Sequence, residues 1–407
     1  MTLQAEFQVV VLAAGRGSRM PEVTSGKPKC LLPVGTRPLV WYPLYKLQQS
    51  GFTDVIFVVQ ENHKSEIQNV LDKTELEIKI EYFTINGKED IGTADSLRML
   101  HDKLKSDVLV VSCDFITDIS LKGVLDIFRM HDASAASLFF HPQAGESLIV
   151  PGPKSKHKPE RDLVGIDTQT NRLVFLASAS DFERELLPHI VKKQLSKPPK
   201  VIEGKSIVSK YDSEDIFNYA KEDEFSLLIR ETSAYNDHTG DFKSTYHGDS
   251  IRCYAFIAPQ DSFGVRVNTL PTYWAIHNKV NEKWNKITDG LSLVLKHPKS
   301  ENKSSQVDDK CVIWEGAKLH EKTSFKNSII GSSTEVCSFS RVFNSIIMNN
   351  VLIKEKVALE NCIVSDGAVI ESGCKINGCL IGSNHTLPEN SEHSQEVLTD
   401  SDRLMEF

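Results

Sequence analysis

Five triplets recur at a fixed interval in the C-terminal part of the sequence: Cys311-Val312-Ile313, Ser328-Ile329-Ile330, Ser345-Ile346-Ile347, Cys362-Ile363-Val364 and Cys379-Leu380-Ile381. Each triplet begins 17 residues after the previous one. Written in rows of that length, the segment contains three aliphatic columns, which predict a structural repeat. The columns are Ile313, Ile330, Ile347, Val364, Ile381; then Leu319, Val336, Ile353, Ile370, Leu387; then Phe325, Val342, Leu359, Ile376.

The spacing within each row is typical of short strands joined by corners. The columns lie six, six and five residues apart, and a small residue stands two positions before the first column in each row. An interval of two places both side chains on one face of a strand. The row ends carry residue types that accept the left-handed backbone of a sharp corner. These corner residues are Asn327, Asn344, Asn361 and Gly378.

Three strands and a corner after each predict a three-sided, left-handed parallel β-helix of hexapeptide repeats over residues 306–390, about four and a half coils long. An antiparallel sheet with accidental spacing is the alternative. It does not account for three aliphatic columns and a corner column together. A β-helix is a scaffold, so it does not identify a reaction.

The N-terminal sequence predicts a parallel α/β sheet. Residues 7–12 (FQVVVL) form a continuous apolar run, as expected of a strand buried on both faces. Gly15 and Gly17 follow in a loop with Ser18, where backbone N–H groups can approach an anion, and Arg19 can add a contact to a phosphate. The alternative is that these glycines only make a turn.

Two charged residues are further candidates for the same site. Lys29 stands beside the rigid Pro28 and can face the same phosphates; its alternative is a solvated loop lysine. Residues 107–112 are predicted as a second buried strand, and Asp114 follows its carboxyl end, where α/β sheets bind ligands. Asp114 is therefore a candidate metal ligand, or alternatively a helix N-cap or turn aspartate.

Composition excludes several classes of protein. The 407 residues carry a net charge of -8, which argues against a protein that mainly coats nucleic acid. No apolar run approaches the roughly 18 residues of a membrane span. The eight cysteines contain no CxxC pair and the 13 histidines no HxH or HExxH arrangement, so no metal-binding role is predicted for them. Reduced thiols in the cytosol are the simplest interpretation.

The motifs LAAGRGSRM, PKCLLPVG, GTADSL and VVSCD, followed by hexapeptide repeats, resemble the sugar-phosphate nucleotidyltransferases. Within that superfamily the sequence is similar to the gamma subunits of eukaryotic translation initiation factor 2B. The closer similarity lies in residues 29–43, 92–98, 107–118, 164–177, 251–254, 266–270 and 400–407. Its weakest part is residues 186–248.

The resemblance implies a fold and a nucleotide site. The fold is a Rossmann-like nucleotidyltransferase domain followed by the β-helix. In working enzymes the loop and the lysine hold the triphosphate, and two carboxylates hold Mg²⁺. Cys113 stands where the enzymes usually have Gly, Cys30 where they usually have Pro, and no second carboxylate can be named. We therefore predict no cofactor, no catalytic residue and a vestigial site, with Mg²⁺ at Asp114 only if the pocket is active. Its residues are Gly15, Gly17, Ser18, Arg19, Lys29, Gly92, Thr93 and Ala94.

The resemblance also implies partners. The predicted function is that of a non-catalytic subunit of the initiation factor 2B complex, which promotes GDP/GTP exchange on eukaryotic initiation factor 2. The epsilon subunit and the other subunits of that complex are the expected partners, with no direct contact to nucleic acid or membrane. The alternatives are a sugar-1-phosphate nucleotidyltransferase, or a pocket that binds a nucleotide without turnover.

Four regions are predicted. They are a nucleotidyltransferase-like domain (1–187), a remnant with a variable linker and a connecting strand and helix (188–305), the β-helix (306–390) and a tail (391–407). Leu187 runs straight into Pro188, where the resemblance implies several more strands and a helix. The sequence therefore predicts a shortened first domain that exposes sheet edges.

Overall fold

The architecture comes from a computed structural model, which describes residues 6–15, 17–86, 92–141, 150–153, 163–177, 181–196 and 249–399, with short pieces between 216 and 247. Most of the predicted variable linker and the C-terminal residues 400–407 lie outside the described residues. The elements before the β-helix are β1 (Phe7–Leu12), α1 (Pro21–Thr24), β2 (Pro33–Val34), β3 (Arg37–Pro38), α2 (Trp41–Gln49), β4 (Asp54–Gln60), α3 (Lys64–Leu71), β5 (Lys79–Ile85), α4 (Thr93–Met99), β6 (Asp107–Ser112), β7 (Phe115–Thr117), α5 (Lys122–Met130), β8 (Ala135–Phe139), β9 (Leu163–Ile166), β10 (Leu173–Ala177), α6 (Asp181–Lys193), β11 (Cys253–Ile257), β12 (Gly264–Arg266) and α7 (Leu270–Thr288).

A four-stranded parallel sheet of order β5-β4-β1-β6 organises the N-terminal domain. Alternate residues of β1 enter different cores, because successive side chains of a strand point to opposite faces. Val9 packs with residues of α2, α3 and α5 on one face, whereas Val10 packs with Leu100 on the other. The predicted α/β sheet with β1 buried on both faces is therefore confirmed.

Strand β6 is less buried than the sequence predicts. Of its residues only Val111 is fully buried. The physical reason is its place at the end of the four-stranded sheet, where one side has no strand neighbour in that sheet. The prediction of a second buried strand is therefore wrong for most of its length.

The chain returns to the N-terminal domain after residue 249. Strand β11 pairs in parallel with β8, and β12 pairs antiparallel with β7. The first domain therefore reaches beyond the predicted boundary at residue 187. Helix α6 runs without a break across Leu187 and Pro188. The predicted loss of a segment at that point stays a prediction.

The C-terminal part folds into three parallel six-stranded sheets, and the predicted left-handed β-helix of hexapeptide repeats is confirmed. The sheets have the orders β13-β16-β19-β22-β25-β28, β14-β17-β20-β23-β26-β29 and β15-β18-β21-β24-β27-β30. The strands are β13 (Glu301–Asn302), β14 (Gln306–Val307), β15 (Val312–Ile313), β16 (Lys318–Leu319), β17 (Ser324–Lys326), β18 (Ile329–Ile330), β19 (Glu335–Val336), β20 (Arg341–Phe343), β21 (Ile346–Ile347), β22 (Leu352–Ile353), β23 (Ala358–Glu360), β24 (Ile363–Val364), β25 (Val369–Ile370), β26 (Lys375–Asn377), β27 (Leu380–Ile381), β28 (Thr386–Leu387), β29 (Glu392–Ser394) and β30 (Val397–Leu398).

The β-helix is longer than predicted at both ends. It has six strands in each sheet, from Glu301 to Leu398, instead of about four and a half coils over residues 306–390. Strand β13 lies in the predicted region of the linker and connecting elements (188–305), and β29 and β30 lie in the predicted tail (391–407). The end coils have fewer aliphatic residues in the columns, so the sequence pattern fades before the strands end.

The corner prediction is confirmed. Asn327 and Asn344 both have φ of 45°, Asn361 has 53° and Gly378 has 65°. Asn side chains also stack from coil to coil: Asn327 Nδ2 donates to Asn344 Oδ1 at 2.9 Å, and Asn344 Nδ2 donates to Asn361 Oδ1 at 2.6 Å. Each corner therefore combines a tolerated left-handed backbone with an amide ladder.

One sheet of the β-helix is buried on both faces. The third residue of each triplet points into the β-helix, and the second residue of the last three triplets points outwards against the N-terminal domain. The adjacent apolar pairs of the triplets are explained by this double burial. The outward residues in the shared core are Ile346, Ile363 and Leu380, packed with Met20, Val23, Trp41 and Ile276 among others.

Polar contacts also join the two domains. Trp314 Nε1 donates to the carbonyl of Gly35 at 3.0 Å, and the backbone N–H of Gly152 donates to the carbonyl of Gly378 at 2.7 Å. Within the described ranges, none of the helices has the length and apolar character required to cross a membrane. All eight cysteines are free.

Candidate functional site

The loop after β1 contains glycines with different roles. Gly17 has φ of 74°, and a Cβ there would lie 2.8 Å from Thr24 Cγ2, so the turn itself requires glycine. A Cβ on Gly15 would meet nothing within 4 Å. Ser18 and Arg19 are exposed on the same loop. Turn geometry thus explains Gly17, whereas Gly15 leaves open space beside the backbone.

Asp114 is buried at the carboxyl end of β6, beside the end of β1. The backbone N–H of Cys113 donates to the carbonyl of Leu12 at 3.1 Å, which places the two strand ends side by side. The Lys29 ammonium group donates to Asp114 Oδ2. Lys29 and Asp114 are therefore brought together as the sequence predicts, but they bind each other.

The second carboxylate oxygen of Asp114 is also engaged. Arg266 Nε donates to Oδ1 at 3.4 Å and Ser112 Oγ donates to Oδ1 at 2.5 Å. Burial alone would raise the pKa of Asp114, but the charges of Lys29 and Arg266 and the hydrogen bonds from Lys29 and Ser112 hold that pKa well below its usual range. Asp114 is ionised and neutralised by side chains of its own chain.

Mg²⁺ binding does not fit this arrangement. A hard cation needs carboxylate oxygens free to coordinate it, and both oxygens of Asp114 already accept from cationic side chains. Among the residues that the structure describes, no cluster of three or more potential metal ligands includes Asp114. The expectation of Asp114 as a metal ligand is therefore not supported by the side chains around it.

The predicted site residues Gly92, Thr93 and Ala94 do not contact the Lys29–Asp114 ion pair through polar groups in the described part of the chain. Gly92 precedes α4, and its carbonyl accepts from Ser96 Oγ at 3.0 Å. Within the described part of the chain, no hydrogen bond or ion pair joins these three residues to Lys29 or Asp114. Of the predicted site residues, Lys29 and Asp114 are therefore in contact, whereas Gly92, Thr93 and Ala94 are not joined to them.

The sequence did not identify Arg266 as a site residue. Arg266 ends β12, which pairs with β7 immediately after Asp114, and the two residues are 152 positions apart. A long-range strand pairing brings them together, and no local motif signals it. Ser112 could have been identified from the sequence, since it stands two residues before Asp114 and residues at that interval along a strand share a face.

Lys27 and Lys29 flank Pro28 and form ion pairs with different domains. Lys29 reaches Asp114 in the N-terminal domain, whereas Lys27 Nζ lies 2.8 Å from Asp366 Oδ2 of the β-helix. The solvated loop lysine considered for Lys29 is excluded, because its side chain is 15% exposed.

Comparison with known proteins agrees with the two domains. The family model described as nucleotidyl transferase matches residues 8–147. The model described as GlmU-like, C-terminal hexapeptide matches residues 295–401, close to the observed β-helix.

Individual relatives extend the likeness over the whole chain. Translation initiation factor eIF2B subunit gamma of Caenorhabditis elegans is 31% identical over 296 residues, which are 70% of this chain and 70% of the relative. The gamma subunit of Schizosaccharomyces pombe is 27% identical over 99% of this chain and 92% of its own length. The epsilon subunit of Schizosaccharomyces pombe is 25% identical over 68% of this chain and 40% of its own length. The chain therefore belongs to the family of gamma subunits of translation initiation factor eIF2B.

Proposed function

We propose that the chain acts as a non-catalytic subunit within the eIF2B complex, pairing with the epsilon subunit and supporting GDP/GTP exchange on eukaryotic initiation factor 2. Exchange requires a factor to stabilise the nucleotide-free G protein more than the GDP-bound form, so no covalent bond is made or broken. A subunit that positions its partner is sufficient for this role. The likeness to the epsilon subunit over 68% of the chain supports pairing between two related folds.

The observation that carries the non-catalytic part of the proposal is the state of Asp114. Lys29 and Arg266 together neutralise the carboxylate that a nucleotidyltransferase would need for a metal ion. Lys29 cannot hold a triphosphate while it is bound to Asp114. Lys29 and Asp114, the groups that a working nucleotidyltransferase would use, therefore bind each other.

Co-expression tests the assembly. The full chain and the epsilon subunit are purified through a tag on epsilon, and GDP release from initiation factor 2 is followed with a fluorescent GDP. We expect a stoichiometric pair and exchange above that of epsilon alone. A folded chain that does not co-purify would contradict the proposed pairing.

A nucleotidyltransferase is the competing function, favoured by the family model over residues 8–147 and the open space beside Gly15. Pyrophosphate release from GTP with mannose-1-phosphate, or from ATP or UTP with glucose-1-phosphate, tests it in the presence of Mg²⁺. We expect no release above background. Release that is lost in Asp114→Ala would establish catalysis.

A further inference from the structure

Three side chains that could bind a metal ion meet on the outer face of the β-helix. His320 follows β16, and Glu335 and Cys337 begin and follow β19 in the next coil. The nitrogen, carboxylate and sulfur atoms that could bind a metal all lie within 4.8 Å of one another. His320 Nε2 is 2.8 Å from Glu335 Oε1. No other cluster of at least three such side chains occurs in the parts of the chain that the structure describes.

The β-helix holds these residues in a fixed register. Leu319 of β16 pairs with Val336 of β19, and both point into the core. Their neighbours in sequence therefore point outwards, and His320 stands one coil from Cys337 at the roughly 4.8 Å spacing of paired strands. The backbone N–H of His320 donates to the carbonyl of Val336 at 3.0 Å. The three side chains are thus carried by hydrogen-bonded strands.

We propose that His320, Glu335 and Cys337 bind a zinc ion on the outer face of the β-helix. An imidazole nitrogen, a thiolate and a carboxylate form a donor set that suits Zn²⁺, whereas Mg²⁺ and Ca²⁺ take oxygen ligands. Tetrahedral Zn²⁺ would take water as its fourth ligand. For Nε2 of His320 to bind the metal, its hydrogen bond to Glu335 would break and the neutral ring would carry its proton on Nδ1.

The surrounding charges favour a cation. Two carboxylates, those of Glu335 and Glu355, act on the Cys337 side chain, against one ammonium group, that of Lys354. Lys354 is itself paired with Glu371 at 2.7 Å. Zinc binding replaces the thiol proton: the S–H bond breaks, an S–Zn bond forms, and one proton passes to solvent.

The site is open to solvent, unlike the other thiols. Cys337 is half-buried, and the other seven cysteines are buried. The side chains of His320 and Glu335 are 38% and 41% exposed. A metal ion or a thiol reagent in solution therefore reaches Cys337 first.

Titration of the full chain with Zn²⁺ and Co²⁺ tests the proposal. We expect one equivalent of Zn²⁺ to bind with release of a proton, and Co²⁺ to give thiolate-to-cobalt absorption. Cys337→Ser should remove that absorption. His320→Ala should weaken Zn²⁺ binding by about 100-fold, because loss of a residue that only hydrogen-bonds to a ligand already lowers metal affinity by up to about that factor. Neither residue belongs to the β-helix core, so the variants fold.

The chain offers a matched control. His393 Nδ1 lies 3.1 Å from Glu396 Oε2 on the same β-helix, a His–Glu pair that Cys337 does not join. His393→Ala leaves Zn²⁺ binding unchanged. The proposal is overturned by the absence of saturable Zn²⁺ binding, by equal binding in Cys337→Ser, or by equal loss in His393→Ala. As a second measurement, Zn²⁺ slows modification of one thiol by Ellman's reagent at least about tenfold, and an unchanged rate contradicts the site.

Discussion

The ammonium group of Lys27 lies 2.8 Å from the carboxylate of Asp366, across 339 positions of sequence and across the boundary between the two domains. The side chains are 7% and 24% exposed. Asp366 Oδ1 also accepts from the backbone N–H of Asn349 at 2.8 Å. A partly desolvated, well-oriented ion pair thus joins the N-terminal domain to the β-helix.

Replacing Lys27 with Met is expected to lower the free energy of unfolding by about 1–3 kcal/mol, because Asp366 would keep its charge and lose its partner. The value is below that for a fully buried pair, since water reaches Asp366. Urea unfolding followed by tryptophan fluorescence measures the change. Lys375→Met is the control: its pair with Glu392 is exposed, and its loss should cost less than about 1 kcal/mol. Equal costs for both variants would contradict the role assigned to Lys27.

Asp114→Asn should destabilise the N-terminal domain by about 2–4 kcal/mol at neutral pH, because Lys29 and Arg266 lose their shared counter-charge. The pKa of Asp114 is lowered in the folded state, so its contribution is present above its unfolded pKa of about 3.9 and is lost as pH falls below that value. The gap between wild type and variant therefore narrows in acid. Unfolding free energies measured from pH 7 downwards check this, and a constant gap would refute it.

His277 predicts a second pH dependence. Its buried ring accepts from the backbone N–H of Gly35 at Nδ1, 3.3 Å away, and burial lowers its pKa to about 3. Above pH 6.5, the usual pKa of histidine in an unfolded chain, the ring is neutral in both states and this residue costs no stability. Below that pH the unfolded state takes up the proton first, so the free energy of unfolding falls by about 1.4 kcal/mol per pH unit. Between pH 6.5 and pH 4.5 the wild type should therefore lose about 2 kcal/mol of stability through this residue. His277→Gln, which does not titrate, should not show this loss. Parallel pH profiles for the two proteins would show that the ring is already accessible to protons.

Ile363→Ser tests the outward face of the doubly buried sheet. Ile363 is fully buried between the domains, so the substitution should cost about 3 kcal/mol and increase proteolysis of the N-terminal domain. Val369→Ser is the control, since Val369 points outwards from a neighbouring sheet and is half-buried. Its cost should stay below about 1.5 kcal/mol. Identical proteolysis of the two variants would mean that the interface does not depend on this column.

Asn344 separates the two contributions at a corner. Asn344→Ala loses both amide hydrogen bonds, and alanine tolerates the left-handed backbone at φ 45° less well than asparagine does. We expect the free energy of unfolding to fall by about 2–3 kcal/mol. Asn344→Gly loses the same bonds but accepts the backbone, so it should be about 1 kcal/mol more stable than the Ala variant. Thermal unfolding of the pair measures the difference, and an Ala variant as stable as Gly would remove the backbone explanation.

Local periodicity explains why the β-helix was predictable. Each aliphatic column, such as Ile313 to Ile381, contacts the coil above and below at a constant interval of 17 residues, so the pattern in the sequence is the pattern in space. Strand β1 was equally clear, because burial on both faces makes its run continuous. The adjacent apolar pairs Ile346-Ile347 and Ile363-Val364 include residues of the domain interface as well, but only the structure shows what covers the outer residue of each pair.

The candidate site was predictable only where its residues are close in sequence. Lys29 and Asp114 were identified from motifs, but their mutual ion pair depends on packing. Arg266 reaches Asp114 through a strand pairing that spans 152 residues, and His320 reaches Cys337 through the coil repeat. Searches for short metal-binding spacings do not detect ligands that are one coil apart.

The N-terminal domain contacts the β-helix at two points, and the distance between those points limits how many coils can lie between them. The anchors at Trp314 and Gly378 are 64 residues apart (378 minus 314), or nearly four coils, which is about 18 Å at 4.8 Å per coil. Inserting one whole coil between them would preserve every inward and outward position, so the β-helix itself would still stack. It would nevertheless carry Asp366 or Gly378 about 4.8 Å away from its partner. The docked N-terminal domain thus sets the number of coils between the two anchors, which the repeat alone leaves free to vary.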